Sequence, residues 1–72
     1  MSNALIAGLL NRLNENQLAL GAAVEELTVW VEQRGAEEVA GNVRSALETL
    51  DENFAAIKRG VMELSLLGVA GI

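Results

Sequence analysis

Residues 29–44 read VWVEQRGAEEVAGNVR, and the fold turns on Gly35 near their centre. Stepping by sevens before that glycine gives Ile6, Leu13, Leu20 and Leu27; the same step after it gives Val43, Leu50, Ile57 and Leu64. The ladders differ in phase by two residues, which is about 200° around a helix of 3.6 residues per turn. One unbroken helix would carry its apolar stripe on opposite sides of itself. A reversal at Gly35 removes the conflict and pairs Leu27 with Val43, Leu20 with Leu50, Leu13 with Ile57 and Ile6 with Leu64. The expected fold is all-α, an antiparallel two-helix hairpin.

Working outward, the first helix is predicted over about 4–34, the turn near 35 and the second helix over about 36–67, with an apolar tail at 68–72. Together they make one small helical-hairpin domain. Ser2 or Asn3 can cap the first helix. Gly35 suits the left-handed residue that ends it, with Arg34 in the last turn where cations are favoured. Glu37 and Glu38 fall in the first turn of the second helix, where anions are favoured. Gly41-Asn42 offers a competing start, with Asn42 as cap and residues 36–41 as loop. After Leu67, Gly68 is the expected terminator.

Each helix carries a second apolar row: Leu10, Gln17, Val24 and Val31 on the first, Leu47, Phe54 and Val61 on the second. The face is broad, as in a bundle helix. Two helices with one neighbour each leave much of such a face in water. A second hairpin closing a four-helix bundle is the expected remedy, with Leu13, Leu20, Leu27, Leu50, Phe54 and Ile57 as the self-association residues of a homodimer. Gln17 interrupts the face, either as a polar core residue that fixes register and oligomer state or at an edge with its amide in water. Gly21-Ala22-Ala23 is suited to a close helix–helix contact.

Composition narrows the function. Over 72 residues, half are apolar, too many for a disordered chain, and there is no Cys, His, Tyr or Pro. No disulfide framework or thiolate metal site can form, and neither can a catalytic triad or thiol nucleophile. Adjacent acidic pairs such as Glu25-Glu26 point in different directions on a helix, and the Glu-x-x-His pairs of a bundle metal site are missing. No enzyme, cofactor or metal is expected. Net charge is −5, with only Arg12, Arg34, Arg44, Lys58 and Arg59 positive. Nucleic acid is therefore not an expected partner, since binding it requires clustered cations. The run ALIAGLL has no positive residue before it and is short, which argues against a signal peptide. No run approaches the length of a membrane span, so a cytoplasmic setting is expected.

Trp30 is the largest side chain and lies just before the turn. It is either core or an interface anchor. With Arg34, Glu37, Glu38 and Arg44 it forms a candidate protein-binding patch, although Arg44 could instead pair with Glu48 one turn on.

The segment Gly35-Ala36-Glu37-Glu38-Val39-Ala40-Gly41-Asn42-Val43-Arg44, as G-x-E-E-x-x-G-x-x-R, resembles a stretch in small anti-CRISPR proteins of Pseudomonas phages. The resemblance implies a phage-encoded helical dimer that inhibits a host protein by binding it. Two other functions suit a small acidic hairpin: a structural or chaperone-like assembly subunit of the secretion-helper type, and an RNA-binding dimeric bundle. The sparse basic residues argue against the last.

Overall fold

The computed structural model describes the backbone of residues 2–70 and the side chains of residues 2–67. It is all-α: α1 spans Asn3–Gln33 and α2 spans Glu37–Ala70, packed side by side as a hairpin. Its extents are 56 × 15 × 13 Å, two helices wide and one helix thick. Among the described residues, no helix is long and apolar enough to cross a membrane.

Ser2 is the cap of α1: its backbone is extended and its Oγ accepts from the Leu5 N–H at 3.1 Å. At the other end Gly35 has φ +93°. That left-handed backbone lets the Gly35 N–H donate to the Glu32 carbonyl at 3.0 Å and the Ala36 N–H donate to the Val31 carbonyl at 3.3 Å. These two bonds satisfy carbonyls that the end of a helix would otherwise leave bare. Ala36, just before α2, has no side-chain acceptor to cap it, and the helix starts with Glu37 and Glu38 in its first turn. The helix runs straight through Gly41-Asn42, so the loop considered for 36–41 does not form. It also passes Gly68 and reaches Ala70, beyond the predicted end. One glycine costs about 1 kcal/mol in a helix, which is too little to end one. The rest of the tail, residues 71–72, lies outside the described residues.

The seam between the helices is not the predicted one. On α1 the buried residues are Ala7, Asn14 and Thr28, with Gly21 half-buried between them; on α2 the buried residue is Ala40. This row lies one residue after the leucine ladder, about 100° around the helix. Asn14 Nδ2 donates to the Phe54 carbonyl at 3.2 Å, and a Cβ on Gly21 would lie 4.0 Å from Leu47 Cδ2. Stepping by sevens from those two anchors puts Ala7 level with Val61 and Thr28 level with Ala40. Leu13, Leu20 and Leu27, expected in the seam, are instead 60%, 59% and 63% exposed. Both helices are rolled from the predicted pairing. The α1 seam row lies one residue after its ladder, and the α2 seam row is Leu47, Phe54 and Val61 in place of Leu50, Ile57 and Leu64. Phe54 and not Ile57 therefore lies across from this part of α1. The physical reason is size. Alanine, asparagine, glycine and threonine let α1 approach α2 closely over Leu47 and Phe54. Of the proposed close-contact trio only Gly21 takes part, since Ala22 and Ala23 are exposed.

Gly35→Ala is expected to cost about 1–2 kcal/mol, the penalty of a left-handed backbone for an L-residue. Gly41→Ala should instead stabilise by up to ~1 kcal/mol, because a Cβ there meets nothing within 4 Å. Urea melts of the two variants should move in opposite directions.

Candidate protein-binding surfaces

The roll of both helices away from the predicted pairing makes the hairpin two-sided. The ladder Ile6, Leu13, Leu20 and Leu27 and the row Leu10, Gln17, Val24 and Val31 flank the seam on one side. In an antiparallel pair the row Val43, Leu50, Ile57 and Leu64 of α2 comes to that same side. Leu10, Leu13, Gln17, Leu50 and Ile57 accordingly line one open groove. Farther along, Leu10, Ile57, Gly60, Leu64 and Leu67 line a second, with Glu63 at its rim. No charged residue occurs in these rows between Ile6 and Val31 or between Val43 and Leu64. The six predicted self-association residues divide accordingly. Leu13, Leu20 and Leu27 stand on the open face, and Leu50 and Ile57 border the groove. Phe54 is half-buried in the seam, where its carbonyl holds Asn14.

The other side is polar, and one ion pair ties the helices together there. The Arg44 guanidinium grips Glu32 with two parallel hydrogen bonds, Nη1 to Oε2 and Nη2 to Oε1, the latter at 3.1 Å. Arg44 therefore pairs with Glu32 of the other helix and not with Glu48. The hydrogen bonds from Arg44 hold the Glu32 carboxyl below its ordinary pKa, and the same bonds raise that of Arg44. Both side chains keep 42% of their surface in water, so solvent and salt screen the pair.

At the turn the expected patch is split between the two sides. The Arg34 guanidinium lies over the Trp30 ring, 4.7 Å from its centroid, where the negative face of the indole attracts a cation. Trp30 is 54% exposed and bounds a shallow depression with Ala23, Glu26 and Leu27. It is thus a surface residue beside Leu27 and not a core residue. Glu37 and Glu38 are exposed, and Arg44 is committed to Glu32 on the polar side. Trp30 and Arg34 remain together as one surface unit; Arg44 does not join them.

Reactive groups are not assembled. The Thr28 and Ser45 hydroxyls donate to the carbonyls four residues back, Val24 at 2.7 Å and Gly41 at 3.2 Å, and Ser2 is spent as a cap. Among the described residues no three acidic side chains converge as a metal ion would require. No family model, curated protein or solved structure matches the chain.

Two positions that link the helices do not stand out in the sequence. Glu32 is one; its signal was only that it and Arg44 carry opposite charges on either side of a turn. Asn14 is the other. Its signal was the run of small or polar residues Ala7, Asn14, Gly21 and Thr28 recurring every seven residues beside the leucines.

The depressed Glu32 pKa fixes the sign of a pH effect. Its contribution to stability is complete above the unfolded-state pKa and is lost as pH falls through the folded-state value. Glu32→Gln should melt below the wild type at neutral pH. The two melts should converge as pH is taken below the ordinary carboxylate range.

Proposed function

We propose that the chain is a non-enzymatic protein-binding module that works as a homodimer. One observation carries this reading: a broad apolar face of exposed leucines, Leu10, Leu13, Leu20 and Leu27, with an exposed Trp30 near the turn. Exposed apolar surface of this extent marks an interaction site, and tryptophan is the residue most enriched where binding energy concentrates. The resemblance around Gly35–Arg44 to phage anti-CRISPR proteins supports a phage-encoded inhibitor of a host protein. Such an inhibitor acts by steric occlusion, with the net charge of −5 steering it toward a basic surface. The phage origin, the target and a cytoplasmic site of action all belong to this proposal.

A second reading, an assembly subunit of the secretion-helper type, is favoured by the pole opposite the turn. There Leu5, Leu9, Leu66 and Leu67 all stand exposed. The RNA-binding reading gains nothing from the fold, because Arg44 is engaged by Glu32 and Arg34 by Trp30.

Affinity capture from a bacterial lysate with nuclease treatment, run on the wild type and on Trp30→Ala, tests the proposal. The expected result is one stoichiometric protein partner whose retention falls at least about tenfold on losing Trp30, as for a hot-spot residue. Recovery of the chain alone, in species larger than a dimer, would transfer the assignment to the assembly subunit.

A further inference from the structure

The apolar face has a polar centre. Gln17 stands midway along the α1 rows, with Ile6, Leu10 and Leu13 before it and Leu20, Val24 and Leu27 after it. Asn53 stands midway along α2, between Val43 and Leu64, and both amides line the same groove. Asn14 borders that groove too. It is buried, its Nδ2 is engaged by the Phe54 carbonyl, and its Oδ1 has no donor. An unsatisfied buried amide oxygen costs about 1–3 kcal/mol, and Gln17, one turn on, lines the same groove.

The surface area points to what covers this face. The chain exposes 5560 Å², whereas a folded monomer of 7.6 kDa exposes about 4,300 Å². The excess is about 1,300 Å² per copy; covered in a symmetric pair it makes an interface of roughly 2,500 Å², the size of an obligate homodimer. Among the described residues no large side chain is fully buried within one hairpin, so the partner must be present whenever the chain is folded. Another copy always is. A two-fold axis through the centre of the face brings each apolar end onto apolar surface and the amides onto amides. An unrelated partner would have to supply matching amides there.

We propose that a second copy of this chain covers the apolar face, with Gln17 and Asn53 of both copies meeting at the two-fold axis as a closed polar layer that also satisfies Asn14 Oδ1. This rests on the homodimer reading above and adds the face, the centre and the register. A buried amide layer lowers stability relative to apolar residues but admits only the register in which the amides meet.

The test uses like charges at the axis. Gln17→Glu and Gln17→Lys are each expected to weaken the dimer at least about a hundredfold, because each brings two equal charges together in a desolvated layer. An equimolar mixture should recover a dimer containing one copy of each, read by native mass spectrometry and light scattering. Gln17→Leu should raise the melting temperature and replace the single dimer by several oligomers. A monomeric wild type at micromolar concentration overturns the homodimer reading and this inference with it. A dimeric wild type overturns this inference alone if the mixture fails to recombine, if the single variants stay dimeric, or if Gln17→Leu changes neither melt nor mass.

Discussion

The close approach of α1 to α2 along Ala7, Asn14, Gly21 and Thr28 is the constraint on which the rest of the structure depends. Small side chains bring the helix backbones together but remove little apolar area from water. The usual driving force, at about 25 cal/mol per Å², is therefore largely unspent inside one hairpin. What the seam gains instead is definition. The Asn14 amide bonded to the Phe54 carbonyl and the Gly21 gap over Leu47 each fit one register only. With the seam occupied by small residues, the large ones are displaced to a flank, and that displacement creates the exposed face.

The two sides of the hairpin then have different roles. On the polar side Glu32 and Arg44 join the end of one helix to the start of the next, holding the turn where Gly35 has already reversed the chain. A bidentate arginine–carboxylate pair is directional, so it resists relative rotation of the helices even where solvent weakens its net energy. On the apolar side Leu10, Leu13, Leu20 and Leu27 stay exposed. Trp30, held flat under Arg34, sits where that face meets the turn. A large rigid side chain loses little entropy when a partner covers it, and this one is already partly ordered by its cation.

Much of this was legible beforehand. The phase break between the two ladders required a reversal, and Gly35 was the residue able to make it. Of the two candidate caps, Ser2 and Asn3, the structure uses Ser2. The binding patch was less legible. Trp30 and Arg34 are four residues apart on one helix and their contact is local. The partner of Arg44 lies across the turn, and a nearer acid, Glu48, competed for it on sequence distance. Asn14 did not stand out, because nothing local reveals that a carbonyl of the other helix accepts from its amide.

The sequence by itself determined the two helices and their reversal at Gly35, because these depend on local backbone geometry and on periodicity. Only the tertiary structure decided which row of each helix faces the other, and with it which residues stand level. A helix apolar across several adjacent rows can roll by one residue without losing its amphipathic match, since area alone does not distinguish neighbouring rows. Close packing does distinguish them. The row of Ala7, Asn14, Gly21 and Thr28 permits the shorter approach and offers the amide that Phe54 accepts, so the leucines turn outward.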